Sequence, residues 1–91
     1  MKAQCIFHKK RLHAAGIVEM IIWRLPAATA ERPHSLKYRL VYIVDGKRVV
    51  GYDNEIGKGD HKHSGVVETT YLFVSIDQLV VDFLADVRRA G

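Results

Sequence analysis

The fold is decided by residues 36–54, which read LKYRLVYIVDGKRVVGYDN. The central Asp45-Gly46 is a strong hairpin signal, because a type I′ turn requires positive φ at both of its central residues. The β-branched and aromatic residues on either side favour strands. We therefore predict two antiparallel strands, Leu36–Val44 and Lys47–Asn54, joined by a two-residue turn.

A two-residue turn also predicts which residues face each other across this hairpin, since facing positions then sum to ninety-one. Arg39 is expected opposite Tyr52, and Lys37 opposite Asn54. These four side chains would form a platform that binds a base or a phosphate through charge and stacking. A solvated sheet face with Arg39 paired to Glu19 is the alternative interpretation.

Three further segments have strand character: Ala3–Arg11, Ile17–Leu25 and Val66–Val74. The residues between them predict connections, namely Pro26–Ser35, with its two prolines, and Glu55–Gly65, with its three glycines. The N-terminal strand includes Cys5, which we expect in the core as a small apolar residue.

A helix is predicted to start after Ser75, whose hydroxyl can cap the first turn while Gln78 reaches back in a capping box. Apolar residues then recur at intervals of three and four and form one face. They are Ile76, Leu79, Val80, Phe83, Leu84 and Val87. Strands followed by one amphipathic helix predict an α+β fold. We expect a single domain, residues 1–91, in which an antiparallel meander of about five strands carries the helix across one face.

The composition is that of a globular protein, with 48% hydrophobic and 26% charged residues. Positive charge is concentrated early, with twelve basic and six acidic residues through Gly65 against two basic and four acidic residues afterwards. This asymmetry favours RNA, the ribosome or an acidic protein as partner. A single cysteine and the lack of a long apolar run predict a cytoplasmic chain without a membrane segment.

The segment richest in reactive side chains covers residues 52–63, which read YDNEIGKGDHKH. Histidine exchanges protons near neutral pH, and a neighbouring carboxylate such as Asp60 could orient the ring of His61 or His63. Nearby lysines, Lys58 and Lys62, could hold a phosphate. These are the components of a metal-free ribonuclease, and a polar surface loop is the alternative interpretation.

A metal site is a second functional interpretation of the same segment. If His61-Lys62-His63 is extended, both imidazole rings project to one side of the chain. Asp53, Asp60 or Glu68 would then supply a carboxylate ligand. Two histidines alone do not define a site, so the leading hypothesis uses no cofactor.

Several stretches together resemble the TumE family of small prokaryotic toxins. The most specific is the run from Gly57 to His63. The others are Lys37-Tyr38-Arg39-Leu40, Asp45-Gly46, Arg48, Tyr52-Asp53-Asn54-Glu55, Glu68, Tyr71, Phe73 and the closing segment Leu79–Arg88. Members of this family are treated as the toxin half of toxin–antitoxin pairs. The resemblance implies a helix-turn-helix antitoxin as partner.

The hypothesis that joins these observations is a toxin that inhibits growth by cleaving or binding RNA, with the ribosome as one such target. His61 and His63 would exchange protons without a metal, and Asp60 would orient one ring. Lys58, Lys62 and Arg39 would hold phosphate. A non-catalytic module that binds nucleic acid or antitoxin, and a metal-dependent hydrolase that uses the two histidines, remain as alternatives. A homodimer is compatible with each of them.

Overall fold

The computed structural model describes residues 3–30, 32–55, 57 and 59–91, which form one antiparallel sheet and one helix. The six strands lie side by side in chain order. They are β1 (Gln4–His13), β2 (Gly16–Arg24), β3 (Leu36–Val44), β4 (Lys47–Asp53), β5 (His61–Ser64) and β6 (Val67–Thr70), and they are followed by α1 (Ile76–Ala90). The predicted α+β meander with a C-terminal helix is confirmed. The sixth strand, β5, lies in a stretch that was predicted to be a loop.

The predicted Asp45-Gly46 turn joins β3 to β4, with φ of 52° and 74° at its two residues. The predicted register holds only next to the turn, where Ile43 pairs with Arg48. A β-bulge follows, and beyond it Leu40 pairs with Tyr52. The expected pairing of Arg39 with Tyr52 is therefore wrong, because β4 carries one extra residue that shifts every later pair by one.

This shift decides which side chains of β4 face the helix. Tyr52 now lies on the same face as Leu40, beneath α1, and Asp53 lies beside Arg39 on the opposite face. Alternate residues of β2 and β3 complete the core on the helix side, as strand geometry requires. The buried core residues are Val18, Met20, Ile22, Leu36, Tyr38, Leu40, Tyr42, Val50, Tyr52, Tyr71, Leu79, Phe83 and Val87.

Helix α1 packs against β4 through the face that its apolar periodicity predicted. Ser75 Oγ accepts a hydrogen bond from the backbone N–H of Gln78 at 3.1 Å, so the predicted N-cap is confirmed. The other half of the capping box is not observed, because the Gln78 amide donates to Asp82 instead. Among the described residues, no helix is long and apolar enough to cross a membrane.

The sheet extends well beyond the helix, and its outer strands are more exposed than its centre. The edge strand β1 is largely exposed. Cys5 is exposed as well, so its predicted place in the core is wrong. No described helix packs on the second face of the sheet, which we call the open face, although Val41, Asp53 and His61 at its centre are buried.

We predict that stability depends on the buried face of α1. Leu79→Ala should lower the free energy of unfolding by about 2–5 kcal/mol, because it removes buried methyl groups and leaves a cavity. Val81→Ala is the matched control, since Val81 is 56% exposed on the same helix, and it should change stability by less than about 0.5 kcal/mol. Urea denaturation followed by circular dichroism measures both values. Equal losses would contradict the observed docking of the helix.

Candidate functional site

Four ionisable side chains meet on the open face, across three neighbouring strands. Asp53 on β4 pairs with His61 on β5, and His63 pairs with Glu68 on β6. Facing residues of adjacent strands bring their side chains close together. The two imidazole rings project to the same side, with centroids 5.1 Å apart, as expected if this segment is extended. We call Asp53, His61, His63 and Glu68 the histidine–carboxylate cluster.

His61 lies at the centre of this cluster and is 5% exposed. Its Nε2 atom is 2.6 Å from Asp53 Oδ1 and 3.3 Å from Glu68 Oε2. Glu68 Oε2 is also 3.6 Å from His63 Nε2, so this carboxylate lies between the two rings. The other nitrogen of His61, Nδ1, lies 2.9 Å from the carbonyl oxygen of Gly59. Because a carbonyl oxygen only accepts hydrogen bonds, this contact places a proton on Nδ1.

The surroundings of His63 favour the neutral form of its ring. Burial lowers the pKa of His63 below its ordinary value, and the positive charge of Arg48 lowers this pKa further. The carboxylates of Glu68 and Asp53 act in the opposite direction without reversing the shift. A neutral imidazole keeps a nitrogen lone pair, which can accept a proton or bind a metal ion.

Asp60, which was predicted to orient His61 or His63, takes no part in this cluster. Its carboxylate accepts a hydrogen bond from Tyr38 Oη at 2.6 Å, and His34 Nε2 lies 3.2 Å away. Tyr38 belongs to the helix side of the sheet, opposite the face that carries His61. Asp60 therefore holds the segment before β5 against β3, and Asp53 is the carboxylate that contacts the imidazole.

Two of the expected substrate contacts also lie on the helix side. Tyr52 is 1% exposed, and its hydroxyl donates a hydrogen bond to Asp86 Oδ2 at 2.5 Å. Burial and this hydrogen bond raise the pKa of Tyr52. Lys62 pairs with Tyr52 in the sheet, and its Nζ lies 3.6 Å from the Asp86 carboxylate. Neither side chain reaches the cluster, and Lys58 lies outside the described residues.

The other basic residues of the predicted platform do lie on the open face. Lys37 and Arg39 line a hollow of about 350 Å³ together with Trp23 and Asp53. Lys37 Nζ lies 5.2 Å from the centroid of the Trp23 ring. Glu19 Oε2 contacts His8 Nε2 at 3.0 Å, and this hydrogen bond lowers the pKa of Glu19. The positive charge of Arg39 contributes to the same lowering, so Arg39 lies near enough to Glu19 to interact with it electrostatically.

Arg48 is a third cation on this face, and the sequence-based hypothesis gave it no functional role. It lies on the open face opposite Ile43, and its side chain passes over Gly51, the residue that pairs with His63. A Cβ atom at position 51 would come within 2.7 Å of Arg48 Cδ, so the glycine leaves room for this crossing. A glycine inside a strand is the signal that could have indicated such a close approach.

Asn54 has a structural role in place of the expected substrate contact. It is 1% exposed, and its side chain accepts from Tyr38 N at 3.0 Å and donates to Leu36 O at 2.8 Å. The Asn54 amide thus extends the β3–β4 pairing beyond the end of β4. The buried Arg32 donates twice to the Asn54 carbonyl oxygen, at 3.1 and 2.7 Å. The sequence pattern gave no reason to select Arg32, which lies in the β2–β3 connection.

Comparison with known families identifies a family for this chain. A family model described as Toxin TumE matches residues 5–90. No curated protein and no solved structure matches the chain. The matched range includes every residue of the histidine–carboxylate cluster and the three cations beside it.

The role of Asn54 leads to a prediction about stability. Asn54→Ala should lower the free energy of unfolding by about 2–4 kcal/mol, because two backbone groups of β3 lose their buried partners. The neighbouring residue Glu55 is exposed, so Glu55→Ala should change stability by less than about 0.5 kcal/mol. Thermal and urea unfolding of the purified variants measure both. A loss in Asn54→Ala no larger than the control's would show that the amide does not hold this end of the hairpin.

Proposed function

The chain belongs to the TumE toxin family, and from this premise we propose that it arrests growth by cleaving RNA at the histidine–carboxylate cluster. The observation that carries the proposal is the juxtaposition of this cluster with a row of cations on the open face. Histidine and carboxylate groups can move protons, and arginine and lysine bind phosphate. Glu68 is the exposed member of the cluster and brings it to the surface of the open face, where a polymer can reach it.

The open face carries several cations rather than one, which favours a polyanion such as an RNA strand over a single anion. Lys37, Arg39 and Arg48 are all exposed and follow the sheet from the Trp23 side toward the cluster. Such side chains neutralise backbone phosphates and release counterions, which gives affinity without sequence preference. Trp23 is partly exposed beside Lys37, where its ring can stack on an unpaired base.

In the proposed reaction the ribose 2′-oxygen attacks the adjacent phosphorus. The 2′-O–P bond forms and the P–O5′ bond breaks. The 2′-hydroxyl loses one proton, and the leaving 5′-oxygen gains one, so the number of protons is unchanged. His61, His63, Asp53 and Glu68 supply the groups that accept and return this proton. Arg39 and Arg48 lie where they can offset negative charge on the phosphate oxygens during the reaction.

A toxin family implies an antitoxin partner. We propose that this partner is of the helix-turn-helix class and that the toxin acts in the cytoplasm, where RNA and ribosomes are found. Co-expression with the neighbouring reading frame tests the partner, since a helix-turn-helix protein should restore growth and co-purify with the chain. A homodimer is a separate expectation, which sedimentation of the purified protein tests.

Growth and RNA integrity test the cleavage proposal directly. Controlled expression of the native chain should arrest growth and produce RNA fragments, and His63→Gln should abolish both at equal soluble levels. His13→Gln is the matched control, because His13 lies at the far end of β1 and its ring contacts Tyr42. Growth arrest by the His63→Gln variant, with fragments still formed, would contradict the proposal.

RNA binding provides a second prediction, measured in the His63→Gln background so that the RNA stays intact. Arg39→Gln should weaken binding of single-stranded RNA and reduce the slope of log K against log salt by about one, because one phosphate contact is lost. Arg88→Gln should leave both unchanged, since Arg88 is exposed at the end of α1. Fluorescence anisotropy at several salt concentrations gives the slopes. Equal slopes in the two variants would place the RNA elsewhere.

A further inference from the structure

The environment of His61 Nε2 presents an electrostatic problem. Because Nδ1 carries a proton that it donates to Gly59 O, the neutral ring has its lone pair on Nε2. Two carboxylate oxygens, from Asp53 and Glu68, approach this lone pair at 2.6 and 3.3 Å. A lone pair and two carboxylate oxygens repel one another at these distances unless a positive charge lies among them.

Asp53 beside this ring carries a buried oxygen without a hydrogen bond to any residue that the structure describes. Asp53 is 8% exposed, and its Oδ1 has no hydrogen-bond partner among the described residues, although it touches Nε2. The contact therefore lacks the direction of an N–H to oxygen hydrogen bond. A buried carboxylate oxygen without a partner is strongly unfavourable, which points to a ligand that binds it from another direction.

The donor atoms around this point have the composition of a metal site, and they lie near enough to one another for small side-chain adjustments to bring them onto one ion. Asp53, His61 and His63 each offer one ligand atom, and these atoms lie within 4.8 Å of one another. Glu68 Oε2 lies 3.3 and 3.6 Å from the two Nε2 atoms. Ligand atoms on a tetrahedral zinc ion, with bonds of about 2.0–2.1 Å, are separated by about 3.4 Å.

The hydrogen bond from His61 to Gly59 has the form that supports a metal-binding histidine. Metal-ligating histidines almost always donate their second ring nitrogen to a carbonyl or carboxylate, which fixes the tautomer and the ring orientation. The carbonyl of Gly59 provides this acceptor at 2.9 Å. Gly59 has a φ of +69°, which L residues rarely adopt, so the glycine allows the chain to turn this carbonyl toward the ring.

We propose that the histidine–carboxylate cluster binds one divalent transition-metal ion of the Zn²⁺ class. Asp53 Oδ1, His61 Nε2 and one ring nitrogen of His63 are its ligands, with Glu68 as a further carboxylate at the same position. Two imidazoles with carboxylates favour such ions over Mg²⁺ or Ca²⁺, which prefer all-oxygen ligand sets. This assignment departs from the sequence-based expectation of a metal-free site.

The proposed ion deepens the RNA-cleavage function and rests on it only for its chemical role. With the ion bound, His61 and His63 would be its ligands in place of proton carriers, and Glu68 would exchange the proton. A hollow of about 320 Å³ lined by His61, Glu68, Thr69 and Thr70 opens beside the ligands and can admit a phosphate group. A bound divalent ion would polarise a phosphoryl oxygen or lower the pKa of a bound water, and Arg48 would hold the substrate. The binding of the ion itself can be measured without RNA.

Metal binding to the full chain is the first test. Protein stripped with a chelator and then dialysed should bind one Zn²⁺ per chain in calorimetric titration, and its melting temperature should rise with Zn²⁺ concentration. Asp53→Asn and His63→Gln should each weaken binding at least about tenfold. His13→Gln should bind as the native chain does. Circular dichroism of each metal-free variant establishes that it is folded before titration.

The outcomes separate this proposal from the proposed function. No binding of Zn²⁺, Mn²⁺ or Co²⁺ below millimolar concentration, or binding unchanged in Asp53→Asn and His63→Gln, would overturn the metal site. RNA cleavage that persists in the chelated protein would overturn the ion's role in cleavage, while leaving the RNA-cleavage function intact. Site-specific metal binding without any RNA cleavage would support the metal site and remove the proposed function.

Discussion

The structure depends on one extra residue in β4, which forms a bulge shortly after the Asp45-Gly46 turn. Because side chains alternate between the two faces of a strand, a shift of one residue moves every later side chain to the other face. Tyr52 therefore packs beneath α1, and Asp53 lies on the open face beside Arg39. Without the bulge, the carboxylate that contacts His61 would point toward the helix. The hydrophobic core and the candidate site are thus set by the same register.

The end of this hairpin is fixed by polar contacts rather than by apolar packing. Asn54 extends the pairing of β4 with β3 through its side chain, and Arg32 holds the Asn54 carbonyl oxygen. The chain then turns back, with Asp60 tied to Tyr38 and His34, and enters β5. These contacts place His61 opposite Asp53 in the sheet. Fully paired buried polar groups of this kind favour one arrangement over its alternatives.

The two faces of the sheet differ in how their buried polar atoms are paired. On the helix side, Tyr52 and Tyr71 bury their rings and donate their hydroxyls to Asp86 and Asp82, so polar atoms there are paired within the protein. On the open face, Asp53 keeps a buried oxygen without a hydrogen bond, among histidines and a second carboxylate. Strained or unpaired polar groups concentrate at functional sites, where a ligand compensates them. The contrast between the faces is the reason for placing the chemistry on the open face.

The sequence alone determined the local elements: the Asp45-Gly46 hairpin, the Ser75 N-cap, the apolar face of α1 and the α+β class all follow from turn chemistry and periodicity. It also indicated that His61 and His63 share one side of an extended segment. Only the tertiary structure decided which carboxylate meets them. Asp60 is nearer in sequence, but Asp53 is the residue in contact, because the bulge and the Asn54 pairing set that register. The expectation of substrate contacts at Tyr52 and Asn54 failed for the same reason: composition and spacing do not specify which face of a sheet a residue occupies once a bulge intervenes. Lys62 lies on the helix side because it alternates with His61 and His63 along β5.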